Sequence, residues 1–209
     1  MKKLVKYMLV LAVLGLLGYK SVYFKKLSEV KKVGSEKFDA VSFAKNLWDN
    51  KMPAKIDSAV DLSVLIKAVT ADKESAINKY TNAIDIGNYR YAIVKTQGTV
   101  ISFDEDEVKL ALALPDSTMN AVLAIEYIYG NAIRDASALI DVKDFPNSTD
   151  LNNISEEMNS IIRKNLLPPF NKSVKKGDKI NIVAAIELNK EHIKWTGLEL
   201  IPVRLQIVQ

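Results

Sequence analysis

The chain predicts a mainly β, α+β fold. It reads as about five strands with one helix between the third and fourth, preceded by a small helical segment and an N-terminal hydrophobic segment. Three observations predict this. The hydrophobic period switches from 3.6 to 2 at Gly87. Alternating apolar residues then recur in short runs separated by turn-forming Gly, Pro and Asp. One long connection, after Tyr129, returns to helical spacing.

Composition bounds the rest. The chain has 209 residues, 48% apolar and 26% charged, a composition that folds. It has no cysteine, which excludes disulfides, thiolate metal sites, cysteine nucleophiles and cysteine-linked lipid anchors. Its single histidine excludes multi-His metal sites. The net charge of +4 raises nucleic acid or a membrane surface as partners. That charge is uneven. Residues 1–33 hold eight lysines against Glu29, a net +7, and the remaining 176 residues hold 21 basic and 24 acidic side chains, a net −3. Only four arginines occur, scattered along the chain, and a phosphate-tracking surface needs a basic stripe, so nucleic acid is not expected.

The N-terminal segment explains the basic charge. Lys2 and Lys3 open a positive region, and Tyr7 to Tyr19 runs thirteen residues without a charge. Extended to Leu4–Phe24 with Lys6 and Lys20 snorkelling, it reaches the roughly 20 residues a span needs. A small-x-small cleavage site is missing, since bulky Tyr19, Val22 and Tyr23 stand where small residues are wanted. An uncleaved anchor is favoured over a cleaved signal, which would release the protein. Lysines on both flanks leave the orientation open by charge. The chain thus divides into a signal or anchor segment (1–24), a juxtamembrane linker (25–37), a helical segment packed on the barrel (38–85) and a β domain (86–209).

Within 38–85, Phe38, Val41, Ala44, Leu47 and Trp48 repeat at helical spacing, stopping at Met52 before Pro53. Asp61 is a candidate N-cap for a helix facing inward through Leu62, Leu65, Ile66 and Val69. A third helix starts at Asp72 with Ala76, Ile77 and Tyr80. Tyr89–Val94 and Gly98–Phe103 are strand-like, Asp104–Asp106 is a turn, and Val108, Leu110, Leu112 and Leu114 form one face of the next strand. Ala121–Tyr129 is expected to place Leu123, Ile125, Tyr127 and Tyr129 on one face. Asn153 with Glu156 resembles a capping box for a helix ending by Pro168-Pro169. Ile180 to Leu188 alternate, and a last strand sets Ile201, Val203, Leu205 and Ile207 opposite Arg204 and Gln206, with Pro202 placing it at an edge or marking its start. This element order is that of an OB-type barrel, with an open antiparallel sheet covered by helices as the competitor.

Several stretches resemble a known family: LWDNKMPA (47–54), AVDLSVLIKAV (59–69), IGNYRYAIVKTQGTV (86–100), YGNAIRDASALIDVKDFP (129–146) and PVRLQI (202–207). Together they resemble predicted bacterial periplasmic lipoproteins of unknown function, over about residues 38–208, and Gly130–Ala136 is the most specific piece. The resemblance implies an OB-like barrel outside the cytoplasmic membrane, encoded beside sugar ABC transporters, and hence an accessory or binding role in sugar transport. The sequence departs from that family in lacking the lipobox cysteine, so the hydrophobic segment would have to be the tether.

No catalytic constellation is visible, so a non-enzymatic protein without cofactor or metal is expected. Its partners would be the membrane and transporter components. A carboxylate-dependent enzyme on sugars or cell wall, or an oligonucleotide-binding OB module, are the alternatives. Asn131, Arg134 and Asp135 are the candidate binding residues. They follow a strand end and a glycine, where a barrel mouth would lie; arginine forks onto carboxylates and aspartate suits hydroxyls. An architectural salt bridge is the preferred reading of the Arg134–Asp135 pair. His192 reads as an incidental loop residue and Asp104–Glu107 as a solvated turn. Tyr89, Tyr91, Phe103, Tyr127, Tyr129 and Trp195 read as core aromatics rather than a stacking platform.

Overall fold

A computed structural model describes residues 3–8, 10, 13, 38–84, 86–115 and 117–208. The chain divides into two units, Met1–Phe38 and Asp39–Gln209. In the first, residues 3–8, 10 and 13 are helical and exposed. Most of the expected anchor (1–24) and linker (25–37) lies outside the described residues. Among the described residues no helix is long and apolar enough to cross a membrane.

The second unit opens with four helices: α1 (Ala40–Asn50), α2 (Met52–Asp57), α3 (Leu62–Ala71) and α4 (Lys73–Tyr80). A two-residue strand, β1 (Val60–Asp61), precedes α3. Asp39, Asp61 and Asp72 cap α1, α3 and α4 by accepting from the amides of Ser42, Ser63 and Ser75 at 3.0, 2.8 and 3.1 Å. Each carboxylate satisfies an otherwise unpaired N–H at the positive helix end. Pro53 does not end the helical run. It falls in the first turn of α2, where its missing N–H costs nothing. The buried face of α1 is Ala40, Ala44 and Leu47, and Val41 is exposed. α1 packs against the long helix of the connection.

Five strands form the barrel: β2 (Tyr89–Phe103), β3 (Glu107–Leu114), β4 (Ser117–Ala124), β5 (Lys179–Asn189) and β6 (Leu198–Val208). The order β2-β3-β4-β6-β5 returns on itself through a β2–β5 pairing. The β2–β5 seam is antiparallel from Tyr89↔Asn189 to Thr99↔Lys179. The β4–β6 seam is parallel and short, from Ala121↔Leu198 to Leu123↔Leu200. This is the partly open OB barrel that the element order predicted. Its interior is filled by Val94, Leu110, Leu112, Leu123, Ile182 and Leu200, all essentially inaccessible. The two strand-like runs before Phe103 are one strand, with a register shift between Val100 and Ser102. At Gly98 an added Cβ would sit 2.8 Å from the Leu112 side chain, so the glycine permits the close approach of β2 to β3.

Four expectations are corrected. The third barrel strand is Ser117–Ala124, not Ala121–Tyr129. Leu114 pairs with Ser117 and Glu107 with Ala124, so beyond Ala124 β3 offers no partner. The connecting helix, α6 (Ser148–Ile161), starts before Asn153. Asn147 is its N-cap, its Oδ1 accepting from the amide of Asp150 at 2.9 Å while its Nδ2 donates to the Asp150 carboxylate at 2.9 Å. It does not end at Pro168-Pro169 either. A π turn (Ile162–Leu166) leads into α7 (Leu167–Ser173), whose first turn takes both prolines. In β6 the inward set shifts at Pro202, where β5 Val183↔Arg204 is followed by Ala184↔Pro202. The extra residue places Val203 in a bulge, and Pro202 lies past the last residue paired with β4, so its missing N–H breaks no β4–β6 bond.

Leu110→Ala empties a fully buried site at the barrel centre. It is expected to lower unfolding free energy by about 2–5 kcal/mol, read as a shift in the urea midpoint at unchanged slope.

Candidate functional site

The candidate residues sit on a short helix, α5 (Ala132–Ser137), that the periodicity did not show because it is only six residues long. Gly130 turns the chain into it with φ of 78°, and Ala138, at φ 50°, ends it. α5 packs against β2 and β5, which is why Ala132, Ile133, Arg134, Asp135 and Ser137 are all buried.

Two of those residues are ionisable. Arg134 is 5% exposed and Asp135 1%. Arg134 Nε donates to Asp135 Oδ1 at 2.6 Å, and a second guanidinium nitrogen donates to the Leu151 carbonyl at 3.2 Å. The other carboxylate oxygen of Asp135 accepts from Asn131 Nδ2 at 2.6 Å. Asn131 Nδ2 also reaches the Tyr91 hydroxyl at 3.4 Å. Asn82 Nδ2 donates to the Asp135 carbonyl at 2.7 Å, and its backbone bridges to Tyr91 in both directions. Ser137 Oγ donates to the Arg134 carbonyl at 2.7 Å and accepts from the Leu139 amide. A buried ion pair is tolerable only when its hydrogen-bonding groups find partners, and this network supplies them to both carboxylate oxygens and to two of the guanidinium nitrogens. Desolvation pushes the Tyr91 hydroxyl up to about 12; the Asn131 hydrogen bond opposes this, while Glu187 and Asp135 add to it.

The network forms the floor of a pocket of about 400 Å³. Asn131 and Arg134 line it with Gly130, Asn152, Ser155, Glu156 and Asn159. Asp135 lies beneath. Asn159 Nδ2 holds the Gly130 carbonyl at 2.9 Å. Arg163 bonds the Ile128 carbonyl and the Glu156 carboxylate, and its guanidinium lies 5.0 Å from the centre of the Tyr129 ring. The pocket wall therefore carries one carboxylate, Glu156, already engaged by a cation. Asn159 and Arg163 give no signal in the sequence because their partners are main-chain carbonyls about 30 residues away, a contact that leaves no local pattern.

The other residues that the sequence singles out do not join this site. "Core" describes only Tyr91 among the six aromatics. Trp195 is half-buried, and Tyr89, Phe103, Tyr127 and Tyr129 are exposed. Tyr127 and Tyr129 are exposed because the strand stops short of them. His192 is exposed in the β5–β6 connection. Asp104 closes its turn by accepting from the amides of Asp106 and Glu107 at 3.2 and 3.0 Å. Among the described residues no group of three ligating side chains is positioned for a metal.

The barrel order, the helix between its third and fourth strands and the α5 plug define an OB-fold protein. A crystal structure of an OB-fold protein from Thermotoga maritima MSB8 shares this fold, with a TM-score of 0.71 at 22% identity over 83% of this chain and 100% of that one. The chain belongs to the family of predicted periplasmic lipoproteins known as DUF2291, whose model matches residues 12–206. No curated protein matches it.

Arg134→Met leaves Asp135 buried without its cation and is expected to cost about 3–5 kcal/mol in urea unfolding, while the double variant Arg134→Met/Asp135→Leu recovers part of that loss. The raised Tyr91 pKa has a defined sign. The folded state holds the phenolic proton more tightly than the unfolded one, so stability is full below pH 10 and falls as pH rises towards about 12. Tyr91→Phe should remove that part of the alkaline loss, measured as melting temperature against pH.

Proposed function

We propose that this protein is a membrane-tethered, extracytoplasmic accessory or binding protein that serves a sugar ABC transporter and performs no chemistry itself. One observation carries the tether. The chain belongs to a family of predicted periplasmic lipoproteins, yet its 209 residues include no cysteine to take a lipid. The uncharged run Tyr7–Tyr19, inside a segment of net +7, is the feature available to replace it. Retained uncleaved, it anchors the barrel with Lys6 and Lys20 reaching the interfaces.

The non-catalytic reading is supported by how the carboxylates are used. A general acid or base must exchange a proton with its substrate. Both oxygens of Asp135 are held by Arg134 and Asn131, and Glu156 is paired with Arg163. Such a pocket holds a ligand or a partner's side chain in fixed geometry. The transporter as partner rests on the resemblance and its implied gene neighbourhood.

Pull-down mass spectrometry from membranes, with a C-terminal tag so that the N-terminal segment stays intact, is expected to recover the permease or binding protein of a sugar transporter. Clean separation from both, with unchanged sugar uptake in a deletion strain, removes the transport role. Recovery of the tagged protein from the soluble fraction with its first 20 or so residues trimmed removes the tether.

A further inference from the structure

On the outer face of β2, β5 and β6 two rows of side chains stand in strand register. Lys95, Val183 and Arg204 form one; Gln97, Asn181 and Gln206, two residues along each strand, form the next. Val183 is buried beneath, and the other five side chains are exposed. Neighbouring strands are about 4.8 Å apart, so the three amides make a continuous polar strip. At its β2 end the strip meets a wall, formed by the end of β3 and the turn after it (Ala113, Leu114 and Pro115) and by Asp61 with Ser63 at the start of α3. The concavity is open to solvent and measures about 850 Å³, roughly twice the pocket over Asn131.

The chemistry of the strip selects a ligand class. A primary amide offers two N–H donors and a carbonyl acceptor. One bond, Gln97 Nε2 to Asn181 Oδ1 at 2.9 Å, links two of the amides and leaves most of that capacity facing the groove. Formal charge cancels around it. Asp61 is the register partner of Lys95, and Arg204 is bonded to Asp57 at 2.9 Å. An anion would gain no net field here and would meet amide carbonyls; a cation would meet N–H groups. Hydroxyls both donate and accept, so they match a mixed, uncharged surface.

We propose that this groove binds a neutral saccharide, with the Gln97–Asn181–Gln206 row hydrogen-bonding its hydroxyls. The groove lies on a different face from the Asn131 pocket and includes none of its residues. Saccharide binding there needs no transporter, so failure to recover a transport complex leaves it standing, and absence of saccharide binding leaves the complex standing.

The test is a titration of the full chain, purified in detergent, with neutral saccharides (glucose, galactose, ribose and maltose), followed by NMR of the side-chain amide groups. At least one sugar is expected to bind saturably and to shift the Gln97, Asn181 and Gln206 NH₂ signals. Asn181→Ala and Gln206→Ala are each expected to weaken that binding about tenfold, the scale of one or two lost hydrogen bonds, with an unchanged melting temperature. If a variant fails to fold, the wild-type amide shifts decide alone. Absence of saccharide binding to wild type, binding that leaves the three amides unshifted, or larger shifts with inorganic phosphate than with any sugar would overturn the assignment.

Discussion

Arg134 and Asp135 are adjacent in the chain and both lie inside the protein, where an unpaired charge would cost several kcal/mol. Their attraction alone does not settle that cost. It is settled by the groups gathered around them: Asn131 on the free carboxylate oxygen, the Leu151 carbonyl on the guanidinium and Asn82 on the Asp135 carbonyl. These partners come from separate stretches of chain, so the complete network ties the helical segment, β2, α5 and α6 together. The ion pair thereby fixes where the helices meet the barrel. Apolar packing, which lacks direction, would fix that placement less sharply.

The same constraint shapes the pocket above it. With the floor committed to internal hydrogen bonds, what remains for a ligand is a wall of amides, a serine and a carboxylate already facing an arginine. Rigid polar walls suit recognition, and the outer groove follows a related logic on a larger scale. There the strand register, not a helix, sets the spacing of the amides, and the Arg204–Asp57 pair with Asp61 beside Lys95 balances the formal charge at its rim.

Charge sorts the molecule along its length. The net +4 of the whole chain says little until it is divided, after which the first 33 residues carry +7 and the remainder −3. Basic character therefore belongs to the segment that holds the apolar run. The barrel contributes none of it, and its grooves answer to hydrogen bonding more than to net field.

How much is legible in the sequence follows from the range of each interaction. Strand alternation from Val108 to Leu114 and from Ile180 to Leu188 is a local, period-two signal, and the order of five strands with one intervening helix points to an OB-type barrel, while the β2–β5 pairing is what decides it against an open sheet. Asp61 and Asp72 announce helix starts because a cap acts within three residues. The architectural role of the Arg134–Asp135 pair is suggested by its place after a strand end. Its burial depends on Asn82, Tyr91 and Leu151, which no nearby spacing reveals. The end of β4 is fixed by where β3 begins, which leaves Tyr127 and Tyr129 in solvent despite their strand-like spacing. Sequence by itself determined what short-range periodicity, capping and charge can carry: the element order and the placing of the basic charge and the apolar run at the start of the chain. Tertiary structure alone decided the strand partners, the buried polar network and the alignment of Gln97, Asn181 and Gln206, because each depends on residues brought together across tens of positions by the packing of the barrel.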